Sequence, residues 1–565
     1  MAAALPAIGI VILIARYGVS IPLLDDWEMV PLVTDARQGR LSFAAIFEQQ
    51  QEARTVFPKF LFLVFAVVKH WDGRVIMMVS VLLCFVTALG VYRLLRRTGI
   101  SSRGAAVVFL LVLPLIFSPA QHELWLLASG APSFVPALCL VWAMCVLTGD
   151  RSVPAKFWLC LAFTVIASFT LANGLLLWGL TFPAFFAMNP RRRDLRWFFL
   201  WWVACGICAA AYFAGFKHRP DLPAFAPPKP LSEYLHYVAV FLGSGLARSG
   251  NSKPLAASTI VGAIALAGYL AALGYSLFRW RDRAYCARAV PWLAVASFSV
   301  GSACLAALGR IEWGVAQALE SRYVTFSLYC TVGLVALAAI FLKHFVATFR
   351  GNGARVGAQI GLGILGVAYV AVLATCAFAS IPFFKWRSAT ARMGYGGVLF
   401  SQVLDTSRAI QAGNFPRPFE VQQRANALDR LRMLRTPLIR TTRISEMRRS
   451  DLNDESAGWL DAFQVHDGTG SASGWAALPR RPADCVVLAY QDGAGEWIAF
   501  AVSSVLVARP DVTAKLGNRE FLWSGWRAEF PVAGLPRGAQ ISAWGLDAKG
   551  AKLHRLKSAS ALPTL

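Results

Sequence analysis

Charged side chains are scarce in this sequence. Asp, Glu, Lys and Arg together make up 15% of it, where soluble globular chains carry about a quarter. Acidic residues are the scarcer kind, 31 against 55 Lys and Arg, so the formal net charge is +24. No phosphate-binding GxxxxGK[ST] loop occurs, which leaves ATP-driven transport without support, and neither the GxSxG nor the HExxH spacing is present. No Cys/His cluster has zinc-site spacing. Most of the eleven cysteines, Cys84, Cys139, Cys145, Cys160, Cys205 and Cys208 among them, fall inside apolar runs and read as small hydrophobes. Cys485 stands alone in the C-terminal region, which therefore holds no disulfide of its own. The N-terminal apolar stretch has no basic flank before it and no small-residue cleavage site after it, so it reads as an uncleaved first span.

What is abundant is apolar surface. Hydrophobic residues make up 57% of the 565 residues and the mean hydropathy is +0.53. Runs approaching 20 apolar residues recur, each long enough to cross a hydrocarbon core of about 30 Å. The expected fold is a mainly α, polytopic membrane helix bundle of about eleven transmembrane helices with a C-terminal soluble β-sandwich-like domain. The expected spans cover 4–24, 75–95, 104–118, 132–148, 156–171, 174–188, 196–216, 257–278, 289–308, 324–342 and 357–381. Basic clusters follow them at Arg93/Arg96/Arg97/Arg103, Arg151/Lys156, Arg191–Arg193 with Arg196, Arg279/Arg281/Arg283/Arg288 and Lys343/Arg350/Arg355. Cytoplasmic loops concentrate Lys and Arg, so these five clusters belong on one side. Two further apolar stretches, 56–70 and 231–247, would break that pattern if they crossed, and they are assigned to the outer interface. The N-terminus is then cytoplasmic and everything after 382 extracytoplasmic, in a bacterial inner membrane. The positive charge reads as loop charge and contact with anionic membrane lipids rather than as nucleic-acid binding, because the basic residues sit between apolar spans.

The expected domains are a membrane domain at 1–384, whose outward loop 22–74 bears interfacial helices, a basic helical connector at 385–457, and a β-domain at 458–565. The last region alternates in DCVVLAYQD, WIAFAVSSVLVAR and QISAWGLDAKG. Its repeated Gly-Trp pairs (Gly458-Trp459, Gly474-Trp475, Gly525-Trp526) read either as core tryptophans at strand starts or as a sugar-stacking platform.

Polar candidates gather in the outward loops. Asp25, Asp26 and Glu28 come directly after the first span, where a carboxylate is costly unless solvated, paired or functional. One reading is a helix N-cap before WEMVPLV. The other is a general base, with the adjacent carboxylates raising one another's pKa. His122, Glu123 and Trp125 share another outward loop, with Trp125 read as an interfacial belt residue. Arg322 and Tyr323 in ALESRYVTF stand at the outward end of a span.

The segment DDWEMVPLV…GRLSFAAIFEQQQEARTVFPKFLFL resembles the first loop of GT-C membrane glycosyltransferases, and more specifically a bacterial branch whose loop reads about as D-x-W-x-x-x-P-L followed by an N-E-H-R element. Asp26, Trp27, Pro31, Leu32, Glu52 and Arg54 fit, while Gln51 and Ala53 stand in place of the Asn and His. The resemblance covers roughly residues 1–385. It implies transfer of a sugar from a polyprenyl-phosphate donor to a glycan or lipid acceptor on the periplasmic face, with inversion. The implied mechanism needs a base and cations on the donor phosphate: Asp26 is the first choice of base with Asp25 second, and Arg322 with Tyr323, then Arg219 and Arg54, suit the phosphate, each arginine alternatively being an interfacial anchor to lipid headgroups. Glu28, Glu52, His122 and Glu123 would then support the acceptor or the loop. The family has metal-dependent (Mg or Mn) and metal-independent members. A transporter or flippase of a polysaccharide or lipid precursor is the rival class. Against it, the spans between 75 and 381 hold almost no ionisable residue, whereas transporters keep such residues at mid-span. A non-catalytic scaffold displaying the β-domain is a third.

Overall fold

In the computed structural model of the chain, residues 2–51, 53–68, 70–188, 195–217, 229–247, 253–348, 352–413, 417–449, 458–479, 481–558 and 564 are described. They divide into two compact units. One holds Met1–Arg16, Ser42–Leu61 and Arg74–Phe384, the other Tyr17–Leu41, Phe62–Gly73 and Lys385–Leu565.

The first unit is helical. Among the described residues of the whole chain, eight helices are long and apolar enough to cross a membrane: Arg74–Leu95, Ser102–Trp125, Ala128–Leu147, Leu195–Phe213, Pro254–Phe278, Arg283–Trp313, Ser321–Leu342 and Gly363–Phe400. Each coincides with an expected span. The other three expected spans form shorter apolar helices, Leu5–Tyr17, Val153–Ser168 and Ala172–Met188. The first is 13 residues long, about 20 Å at the usual rise per residue, which falls short of a hydrocarbon core. It ends at Tyr17 rather than at Leu24 because Gly18, Ser20 and Pro22 follow, a poor continuation for a helix. The last apolar helix is longer than expected. It runs without a break from Asn352 to Phe400, 49 residues, or about 74 Å, well past the expected end near Ile381.

Residues 231–247, expected at the outer interface, form a helix that is largely buried within the protein. Leu231–Ala247 is buried from Tyr237 onward apart from Leu246, and small residues set its packing. A Cβ on Gly243 would lie 2.0 Å from the Ser258 carbonyl oxygen, and one on Gly262 would lie 1.6 Å from that of Ala239. Backbones in membranes approach this closely where glycine and serine line the crossing. The polar residues Glu233 and His236 occupy only the first turns, where His236 Nε2 meets Thr259 Oγ1 at 3.0 Å.

The second unit joins helical pieces to a strand domain. Helix Asp26–Arg37 packs on helix Pro418–Arg430. Trp71 is fully buried, stacks on Phe65 at 4.6 Å, and donates its backbone N–H to Met433 O at 2.8 Å. The strands are β1 Gly458–His466, β2 Thr469–Leu478, β3 Cys485–Gln491, β4 Trp497–Val507, β5 Gly525–Pro531, β6 Ile541–Asp547, β7 Lys552–Arg555 and β8 Lys557–Ser558. Asp467 (φ 48°) and Gly468 (φ 76°) turn β1 into β2, the Asp-Gly pairing that tight hairpins favour.

A two-sheet sandwich was expected, and the strands instead form one nearly closed, barrel-like sheet. The order is β7-β6-β3-β4-β5-β2-β1-β8. Lys552–Ser558 explains the closure: its first part pairs antiparallel with β6 and its last part pairs parallel with β1. One segment thus pairs near both ends of the sheet, and the two-residue strand Arg448–Arg449 pairs parallel with β7 beyond it, so fewer N–H and C=O groups are left unpaired at the edges. The interior holds Leu460, Val486, Leu488, Trp526, Phe530 and Ala543.

Candidate functional site

The acidic turn belongs to the second unit. Asp26 N–H donates to Leu23 O at 2.8 Å, and Leu23 N–H donates back to Asp26 Oδ2 at 3.2 Å. The carboxylate therefore closes a tight loop with its own upstream backbone. Leu24, at the loop's centre, has φ 45°, a left-handed conformation that is a real outlier for a branched residue. Asp25 occupies the N-cap position of helix Asp26–Arg37 but makes no side-chain cap bond, so neither carboxylate caps in the expected sense. Their exposure differs. Asp26 is 0% exposed, whereas Asp25 and Glu28 are partly exposed. Trp27 and Leu32, from the motif, are buried and pack the helix. Of the two base candidates, Asp26 is the buried one and Asp25 the partly exposed one.

The remaining candidates lie in the first unit. Arg54 is buried and its guanidinium fork is filled by main-chain carbonyls: Phe47 O at 2.7 Å, Tyr212 O and Ala214 O. Two of these terminate helix Leu195–Phe213, where a cation complements the helix dipole. Arg54 thus anchors a loop, and a phosphate would have to displace those bonds. Beside it, Lys59 donates to Ala45 O at 2.9 Å and Glu48 O at 2.7 Å. Burial pushes the Lys59 pKa below its ordinary value despite Glu48. Gln50 and Ala53 exchange backbone hydrogen bonds around a sharp turn. Glu52 and Arg219 lie outside the described residues.

Four sequence candidates do come together. Ser321 Oγ donates to Ala120 O at 2.7 Å, and Glu123 N–H donates to Ser321 Oγ at 3.3 Å. Thr325 Oγ1 donates to Gln121 Oε1 at 2.6 Å. These bonds dock the loop of His122 and Glu123 onto the start of the helix that carries Arg322 and Tyr323. His122 is buried and stacks parallel on Phe383 at 5.0 Å. Trp125 is fully buried, stacks on Phe134 at 4.9 Å and donates to Ser118 O at 2.9 Å, so it is a core residue and not a belt residue. Arg322 is exposed, with its guanidinium over the Tyr323 ring at 5.6 Å. Gln317 links two phenols: Tyr237 O–H donates to its Oε1 at 2.8 Å and its Nε2 donates to the Tyr323 hydroxyl at 3.2 Å. Sequence reasoning missed Tyr237 and Gln317. Tyr237 and Gln317 lie 80 residues apart, and neither sits in a motif.

Among the described residues, no group of three or more His, Cys, Asp or Glu is gathered as a metal ion would need. Cys205 and Cys208 stand at C-x-x-C spacing inside helix Leu195–Phe213, and both are free thiols. In the strand domain Trp475 and Trp526 are buried, as the core reading of the Gly-Trp pairs requires. Comparison of the chain with protein-family models, with curated proteins and with solved structures gave no match.

Proposed function

We propose that the protein is a membrane glycosyltransferase of GT-C type, transferring a sugar from a polyprenyl-phosphate donor to a glycan or lipid acceptor at the outer face of a bacterial inner membrane. The observation that carries this reading is the acidic turn. A strained Leu24 and a fully buried Asp26 hold a second, accessible carboxylate at the start of a helix, and backbone strain of this kind concentrates at functional sites. Asp25 takes the acceptor's proton and Asp26 positions the turn. The resemblance of this loop to the GT-C first loop supplies the chemistry. A general base contributes about 10²–10⁴-fold to rate.

The Arg322–Tyr323–Gln317–Tyr237 group is the proposed hold on a phosphate. A guanidinium fork suits phosphate oxygens, and the Tyr323 hydroxyl accepts from Gln317 and keeps its own O–H as a donor, while Tyr237 holds Gln317 in place. The two roles are assigned separately, each to the unit that holds the residues. The finer topology, with the N-terminus cytoplasmic and residues after 382 outside, belongs to the same proposal and rests on the side-selective basic clusters.

The test incubates purified full-length protein with a panel of polyprenyl-phosphate sugars and measures release of polyprenyl phosphate. Asp25→Asn is expected to cut release at least 100-fold with membrane insertion intact. Unchanged release in both Asp25→Asn and Asp26→Asn would remove the base assignment, and uptake of a substrate into liposomes without any release would favour a transporter.

A further inference from the structure

The second unit contains a polar cleft of about 390 Å³ that the glycosyl-transfer reading does not use. One wall is the segment from Arg435 to Thr441 with Glu446, and the other is the turn from Lys549 to Ala551. Both walls are held in place. Thr436 is buried and its hydroxyl lies 3.3 Å from Ala548 O and 3.2 Å from Lys549 O, tying the segment to the turn. Asp429 accepts the Leu438 N–H at 3.1 Å and pairs with Arg440 at 2.9 Å, which fixes the segment from behind. The turn is shaped by Asp547, whose Oδ1 accepts from Lys549 N–H at 3.3 Å and from Arg481 at 2.9 Å. Ala551, at φ 49°, completes it.

Charge on the two walls is one-sided. Arg435, Arg440 and Lys549 face a single acid, Glu446, which itself lies 3.8 Å from Arg443. Arg440 has Asp429 as partner. Among the described residues no carboxylate lies within ion-pair distance of Arg435 or Lys549, and both are exposed. Two cations without counter-ions on opposite walls of one rigid cleft give a focused positive field. The volume falls in the range of small-molecule sites and exceeds what one oxyanion fills. We propose that this cleft binds a phosphate ester of a small polyol, the phosphate lying between Arg435 and Lys549 and the polyol filling the remaining space.

A sugar phosphate and a phospholipid headgroup share that chemistry, and the experiment separates them. Full-length protein in phosphatidylcholine nanodiscs is titrated calorimetrically with glucose 1-phosphate and with glucose. The phosphate ester is expected to bind at least 10-fold more tightly than glucose, and more weakly as NaCl is raised. Arg435→Ala and Lys549→Ala, on different walls, are each expected to weaken it at least 5-fold. Lys552→Ala, outside the cleft, leaves it unchanged. In nanodiscs containing phosphatidylglycerol, a loss of glucose 1-phosphate affinity assigns the cleft to lipid phosphate, and an unchanged affinity assigns it to a soluble ester. Equal binding of glucose, unchanged binding in both variants, or no binding up to about 10 mM overturns the proposal.

Discussion

Asp484 is the residue whose replacement has the most direct structural reading. It is 3% exposed and follows Ala483 at the start of β3. Its carboxylate pairs with Arg392 Nε at 3.1 Å and with both terminal nitrogens of Arg481, one at 3.1 Å, and accepts the Ala548 N–H at 2.9 Å. Arg392 belongs to the long helix and Arg481 to the β2–β3 connection, so one buried carboxylate joins three pieces of the second unit. Burial opposes the Arg481 charge, and Asp484 and Asp547 overcome that opposition, leaving its pKa above the ordinary value. Removing one partner of a buried pair costs about 3–5 kcal/mol. Arg392 and Arg481 keep 24% and 29% of their side chains exposed, and Arg481 retains Asp547, so the figure for Asp484→Asn is discounted to about 2–3 kcal/mol. The neighbouring thiol reports the effect. Cys485 is buried, and a Cβ on Gly396 would lie only 2.5 Å from its sulfur, so reagent reaches it only when the helix and β3 separate. Local opening becomes more populated by about tenfold per 1.4 kcal/mol. Peptide-resolved mass spectrometry after timed alkylation of intact protein is therefore expected to show Cys485 labelling about 30- to 150-fold faster in Asp484→Asn. A rate within threefold of the parent refutes the keystone role.

Three further outcomes follow from the packing and the charges. Gly262→Val puts side-chain atoms onto the Ala239 carbonyl, overpacking that costs about 1–3 kcal/mol or more, and should lower the melting temperature of the detergent-solubilised protein; an unchanged melt counts against the Gly243–Gly262 crossing. Trp526→Ala removes a side chain 1% exposed and should destabilise the barrel by about 3–5 kcal/mol, seen as loss of near-ultraviolet circular dichroism. The third concerns Asp511, whose pKa is lowered to about 2 by the side-chain hydrogen bond from Arg509. A depressed carboxylate stabilises above its unfolded pKa and loses that effect as pH falls through the folded value. The deficit of Asp511→Ala against the parent should therefore be present at pH 7 and vanish between about pH 4 and 2. It stays below about 1 kcal/mol because the side chain is 61% exposed. A deficit that persists at pH 2 contradicts the pairing.

The long apolar helices were legible because a run of about 20 apolar residues has few structural alternatives. Val153–Ser168 and Ala172–Met188 are as apolar but shorter, and hydropathy alone does not separate a short span from a buried half-helix. The strands Cys485–Gln491, Trp497–Val507 and Ile541–Asp547 fell where alternation placed them. Their closure did not, because it depends on one seven-residue segment pairing at both edges, a long-range property without a local pattern. The packing of residues 231–247 was hidden for a related reason. Its apolar run has interfacial character in Glu233 and His236, yet the decisive feature is a crossing between Gly243 and Gly262, which only the packed backbones reveal.

The candidate site divides along the same line. Asp25, Asp26, Arg322 and Tyr323 were visible as polar residues where apolar ones were expected, and that signal is independent of the fold. Which of the two acids is accessible was invisible, since adjacent residues in one sequence carry no information on which carboxylate turns inward. The structure turns Asp26 toward Leu23 N–H and leaves Leu24 at positive φ. An N-cap carboxylate bonds forward, to the amides that follow it, while Asp26 bonds backward to the amide three residues before it, the direction taken by the acidic half of a capping box. The backward bond shapes the turn and leaves Asp25 partly open. Replacing Leu24 by Gly removes the steric penalty of that φ, so Leu24→Gly should stabilise the turn without altering its shape. If Asp25 is the base, glycosyl release in Leu24→Gly should match the parent while Asp25→Asn loses it. Loss in both would mean that the reaction needs the strain at Leu24 as well as the carboxylate beside it.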